Sequence, residues 1–173
     1  MEDALAEAIL KLKTVTDRLG KHVDQNIIVS VACLNLNEFV TYSSCEGHPN
    51  RATGGPYIAI QAQDAHHYEQ LMRQTELSSE PFKQLYEELK TKNLSVRACL
   101  QLSLDAFYEN RSSNQKITIR NIGPGASKLH CTGIGAFQTK NPTEQSEWLR
   151  AAQLEFADFG RWVLAQKYAK MAL

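Results

Sequence analysis

Residues 27–36 form an almost wholly apolar run, interrupted only by Ser30 and Asn35. Such a run must be covered on every side, and its periodicity alone does not separate a buried strand from a buried helix. Asp24 and Asn26 are candidate N-caps in front of it. Asn35 and Asn37 mark a polar exit, so the run reads as a short buried helix. Upstream, Leu5, Ile9, Leu12, Thr16, Leu19 and Val23 recur at three- and four-residue steps with charges between them, an amphipathic helix that Gly20 loosens or stops. Downstream, residues 39–44 and 57–61 are rich in β-branched and aromatic side chains and read as strands. A polar loop over 45–56 separates them. Residues 64–110 read as helix in two or three pieces. Pro81 sits in the first turn of one, behind Ser78 or Ser79; Val96, Leu100, Ser103 or Leu104, and Phe107 share a face of another. Residues 116–120 alternate apolar and polar, Gly123, Pro124 and Gly125 make a turn, and residues 128–134 return as the hairpin partner. Asn141, Pro142 and Glu144 then supply a cap, a first-position proline and a third-position acid, a strong helix start. Its apolar stripe is Trp148, Ala152, Phe156, Phe159 and Val163. The expected fold is a single α+β domain over 1–173, with a small, mostly antiparallel sheet of about four strands packed with several helices.

A chain of 173 residues can bury a core of its own. Its 19 basic and 19 acidic residues balance to zero net charge, which argues against a broad electrostatic footprint for DNA or a membrane surface. A local basic patch, and with it nucleic acid as a partner, is left open. No apolar run approaches the ~20 residues of a membrane span, and no signal-peptide pattern opens the chain. Cys33, Cys45, Cys99 and Cys131 show no disulfide-framework spacing. The expectation is a cytoplasmic protein with free thiols and no membrane partner. Cys33 and Cys99 fall in apolar helical patterns and read as packing; Cys131 is ambiguous on its hairpin.

Cys45 differs from the other three. Ser43, Ser44, Cys45, Glu46, Gly47 and His48, followed by Asn50 and Arg51, place hydroxyls, a thiol, a carboxylate, an imidazole and a guanidinium where a strand runs into a glycine-containing loop. Gly47 permits a turn with positive φ, and such a turn can aim successive N–H groups at an anion. Three chemistries compete. In the leading one the loop binds a small molecule or nucleotide through Ser43, Ser44, Cys45, Gly47, His48 and Arg51, with Tyr57 and His130 joining from the strands. In the second, Cys45 and His48 ligate zinc, a site that needs further ligands. In the third, Cys45 is a nucleophile with His48 as base and Glu46 as orienter. Against all three stands a plain structural role: a small buried thiol and a histidine satisfying a loop carbonyl.

Other features are weaker. His66 and His67 open a predicted helix. Gly133, Ile134 and Gly135 are a fragment of a dinucleotide fingerprint without the βαβ unit around it. Lys116, Arg120 and Lys128 on one hairpin suit phosphate contacts or a solvated sheet face. Trp148, Phe156, Phe159 and Trp162 read as core, while a broad aromatic face on the last helix also suits a homodimer of a non-catalytic interaction protein.

The stretch Thr41, Tyr42, Ser43, Ser44, Cys45, Glu46, Gly47 and His48, with Pro56, Tyr57 and Ile58 downstream, resembles a Cys-Glu-Gly-His signature of small bacterial proteins that lack an assigned function. In those a buried helix precedes the motif and a Pro-Tyr/Trp strand follows it. More remotely, Ser43, Ser44, Cys45 and Gly47 are similar to the Ser-Ser-Cys-x-Gly element of the tRNA wybutosine-synthesising methyltransferase family, with His48 where that family carries arginine. That resemblance implies a loop in a region binding S-adenosylmethionine and tRNA, and a remote relative of tRNA-modifying enzymes. No cofactor is fixed by the residues themselves.

Overall fold

The computed structural model describes residues 1–16, 20–49, 54–61, 80–123, 125–133, 137 and 140–171. The order of elements is α1 (Glu2–Thr14), α2 (Ile28–Leu36), β1 (Val40–Cys45), β2 (Tyr57–Gln61), α3 (Glu80–Tyr108), β3 (Ile117–Gly123), β4 (Ala126–Cys131) and α4 (Pro142–Met171). All strand pairings are antiparallel, in the order β1-β2-β4-β3. This is the α+β arrangement expected from the pattern of elements.

The apolar run is a helix, α2, and it lies against α4 and β1. Its stop is a Schellman motif: the Phe39 N–H donates to Leu34 O, and the Glu38 N–H to Asn35 O. The left-handed position of that motif, usually glycine, is held by Glu38 at φ +67°. Lys167 of α4 donates to both Leu36 O (2.8 Å) and the Glu38 carboxylate (2.9 Å), tying the helix end to α4. At the start of α4, Asn141 and Glu144 form the reciprocal capping box, with bonds of 3.2 and 3.0 Å.

The helices cover one face of the sheet. Strand alternation sends Ile58, Ile60, Leu129, Ile117 and Cys131 into the core. There they meet Leu100, Leu104 and Phe107 of α3 and Trp148, Phe156 and Phe159 of α4. Trp148, Phe156 and Phe159 of α4 are therefore spent inside the chain, while Trp162 and Tyr168 are half-buried. Gly160 brings α4 so close to α2 that a β-carbon there would lie 3.0 Å from Ser30 Cα. Among the described residues one charged group is buried: Glu155, 6 % exposed, accepts from Arg111 at 3.1 Å.

Several expectations need correction. The first helix ends at Thr14, because Val15 is extended (ψ 134°) and Thr16 bridges His22 in an antiparallel pair. Thr16 and Val23 are thus beyond α1, and Gly20 (φ +73°) turns the chain between the bridged residues. Leu19 lies outside the described residues. The described part of the predicted 64–110 region is one continuous helix from Glu80 to Tyr108. Cys99 is exposed, not packed, because it sits one position off the buried Leu100–Leu104 row. The second hairpin closes over Ala126–Cys131, short of the 128–134 expected. Among the described residues, no helix is long and apolar enough to cross a membrane.

Candidate functional site

Strand β1 runs one residue further than its β-propensity suggests, so Cys45 is the last residue of the strand and Glu46 the first of the loop. Ile27 occupies the N-cap of α2 with no side-chain cap bond, which leaves Asp24 and Asn26 for other work. The Asp24 carboxylate accepts the Glu46 N–H at 3.0 Å, and the Asn26 N–H donates to the Glu46 carboxylate at 3.1 Å. From the far side, Gln153 of α4 donates to Glu46 O at 2.9 Å. Glu46 is therefore a peg that fixes the loop, and the expected role of orienting His48 is not its own.

Gly47 takes φ +87°, and its missing side chain matters. A β-carbon would lie 2.6 Å from both Gly54 O and Leu149 Cδ2 and 3.0 Å from Pro56 N. This close approach lets the His48 N–H donate to Gly54 O at 2.8 Å and brings the Gly47 N–H to 3.4 Å from Cys45 Sγ. With the loop so held, one donor atom each of Asp24, Cys45 and His48 lies within 4.8 Å of the other two, all three residues half-buried. Thiolate, imidazole and carboxylate are the donor types that bind zinc. Asp24 was missed in the sequence because its position before α2 made it look like a cap.

In-register pairing defines the sheet face away from the helices. Cys45 pairs with Tyr57, Tyr57 with His130 and His130 with Thr118. The next row is Ser43, Ala59, Lys128 and Arg120. Lys128 lies with Nζ 3.5 Å from the Tyr57 ring centroid, and Tyr57 OH is 3.4 Å from Ser43 Oγ. Burial, then the charge of Arg120, lowers the Lys128 pKa, while Cys45 opposes the shift. Burial first, with Arg120 and Lys128 adding to it, also lowers the pKa of His130, whose Nδ1 and Nε2 lie 3.3 Å from Cys131 O and 3.4 Å from Thr118 Oγ1. His130 is on the same face as Cys45 but two strands away, about 10 Å at usual strand spacing, so it does not join the Cys45–His48 cluster. Arg51, His66 and His67 lie outside the described residues. Cys33 and Cys131 are buried on the helix side; burial pushes the Cys33 thiol up to about 11 and raises that of Cys131 as well.

Ser43 and Ser44 open on a different space. A cavity of about 390 Å³ is lined by four successive β1 residues, Thr41 to Ser44, so it follows the edge of the strand. Leu12, Val15, Val23 and Val31 form its apolar wall, and Lys21 and His22 bring basic nitrogens. A larger cavity of about 500 Å³ lies between α3 and α4 around Cys99, Leu102 and Trp162. Its one lysine, Lys167, is already bound to Leu36 O and Glu38.

Comparison with protein-family models, with curated proteins and with solved structures gives no match. The chemistry of this α+β domain is therefore read from its own residues.

Proposed function

We propose that this chain is a small-molecule-binding protein whose ligand occupies the 390 Å³ cavity along β1 and is an amphipathic molecule carrying an anionic group. The observation behind the reading is the lining. Its volume falls within the span of about 300–1,000 Å³ common to ligand pockets. It combines an apolar wall with the hydroxyls of Thr41 and Ser44, the ammonium group of Lys21 and the imidazole of His22. No carboxylate lines it among the described residues, so its charge complements an anion. The Thr41 hydroxyl and N–H are already turned to Asn35 Oδ1, at 2.8 and 3.3 Å, and the Ser43 hydroxyl lies 3.4 Å from Tyr57 OH, which leaves Ser44 to orient the ligand. Ser44 lies in β1, one residue before Cys45.

The fluorescent anion 8-anilinonaphthalene-1-sulfonate is a suitable probe, since it has both the apolar body and the negative charge. It should bind saturably with one site per chain. Ser44→Phe, which fills the cavity, should abolish binding, and Lys21→Ala should weaken it several-fold. Unchanged dye affinity in a folded Ser44→Phe protein would overturn the proposal.

A further inference from the structure

Asp24, Cys45 and His48 come from three places in the chain: the segment before α2, the last residue of β1 and the loop after it. One donor atom of each lies within 4.8 Å of the other two. We infer that this triad binds a divalent transition-metal ion, zinc first, with one coordination position open to water or an outside donor.

The donor set selects the ion. Sulfur and nitrogen beside a single carboxylate suit zinc and its neighbours, whereas calcium and magnesium take oxygen shells. In a tetrahedral zinc site with bonds of about 2.0–2.3 Å, neighbouring donors stand about 3.5 Å apart. Side-chain rotation closing the cluster by roughly an ångström completes the site around an ion. The surroundings already favour the bound form. The Gly47 N–H points at Cys45 Sγ (3.4 Å), which stabilises a thiolate, and the Glu46 N–H fixes Asp24 Oδ2 at 3.0 Å.

The shape of the cluster separates metal binding from thiol catalysis. In a Cys-His-Asp relay the imidazole stands between the other two, so thiol and carboxylate are held at opposite ends of the ring. Here thiol and carboxylate themselves lie within 4.8 Å, and the three donors form a compact triangle. Among the described residues the cluster has three protein donors, the number found in zinc sites that keep a position open for chemistry.

The triad and the cavity are separate sites on shared backbone. Asp24 and Cys45 each follow directly on a cavity-lining residue, Val23 and Ser44. A bound ion therefore fixes one cavity wall without entering the cavity.

The test uses the full chain, purified without chelator, its metal content measured by inductively coupled plasma mass spectrometry. The stripped protein is then titrated with cobalt(II) and zinc. One ion per chain is expected, with a thiolate-to-cobalt charge-transfer band in the near ultraviolet. Cys45→Ala should remove that band, and Cys45→Ala, Asp24→Asn and His48→Ala should each weaken zinc binding at least about tenfold. Circular dichroism and dye binding to the cavity establish that each variant is folded. Absence of the cobalt band in the wild type, or unchanged zinc affinity in folded Cys45→Ala, would overturn the inference. Alkylation of Cys45 by iodoacetamide at a rate that excess zinc leaves unchanged would also overturn it and assign the cluster to thiol chemistry. The dye reads the cavity and cobalt reads the triad, so failure of one proposal is distinguishable from failure of the other.

Discussion

Replacing Gly47 by alanine adds one methyl group at the turn between Cys45 and His48, and its cost has two parts that other glycines of the same chain isolate. The first is conformational: φ +87° is left-handed, which costs a residue with a β-carbon about 1–2 kcal/mol. The second is steric: the new carbon would lie 2.6 Å from Gly54 O and from Leu149 Cδ2. Leu149 has some freedom to turn aside, but Gly54 O and Pro56 N are backbone, and forcing them apart costs about 1–3 kcal/mol. Together these make about 2–5 kcal/mol, a drop in urea midpoint of roughly 1–2.5 M at a slope near 2 kcal/mol/M. Gly20 has φ +73° with nothing within 4 Å of an added carbon; Gly20→Ala should show the conformational part alone. Gly123 has neither feature, and Gly123→Ala should stay within about 0.5 kcal/mol of the parent. The assay is equilibrium urea unfolding of the three variants, followed by tryptophan fluorescence. Because the same turn holds Cys45 and His48 together, Gly47→Ala should weaken zinc binding as well. If Gly47→Ala costs no more than Gly20→Ala, the close approach at Gly54 does not constrain the loop and the reasoning fails.

Four other outcomes follow from the packing and the buried groups. Arg111→Met strands the Glu155 carboxylate, whose Oε1 has no hydrogen-bond partner; since Arg111 is itself partly exposed, the loss should be about 2–3 kcal/mol, with Glu155→Gln recovering much of it in the double variant on thermal melting. Gly160→Ala should destabilise by about 1–3 kcal/mol, because its β-carbon would press on Ser30 Cα and Cys33 Cβ between α2 and α4; a neutral result in urea unfolding would show that the two helices part freely. The Cys33 thiol, held protonated up to about 11, should make stability fall as pH rises from about 9, since the unfolded chain then binds fewer protons than the folded one; Cys33→Ala should flatten that limb of the stability curve. His130 should titrate below 6.5 by NMR, so its contribution to stability is present above that value and is lost on acidification as the unfolded imidazole takes up its proton.

The fold was readable wherever the pattern was local. Asn141, Pro142 and Glu144 mark the start of α4 because a capping box is closed within four residues. Strand β2 and the helical state of residues 28–36 follow from β-propensity and from flanking polar residues. Local spacing misled where a segment turns without a helix. Thr16 and Val23 continue the three- and four-residue apolar rhythm, yet the Thr16–His22 bridge redirects the chain. The site divided along the same line. Cys45, Gly47 and His48 stand out by type and spacing, and the structure brings the Cys45 and His48 donors together. Asp24 and Gln153 reach the loop across long stretches of chain, through bonds to Glu46, which no sequence period records. Cys99 was misplaced for a finer reason: on a long helix one residue of phase is enough to carry a thiol from the buried row to the exposed one.

The bond from Gln153 to Glu46 O has a consequence for how the protein is made. Asp24, Asn26, Cys45 and His48 all precede α4 in the chain. The Glu46 loop receives its last anchor only when α4 has been synthesised and has docked, more than a hundred residues later. Domains generally fold as units, so the proposed metal ligands, although they precede α4 in the chain, stand on a rigid loop only once α4 has joined the fold. Docking of α4, and not formation of the loop itself, is the event that sets the proposed site in its final shape.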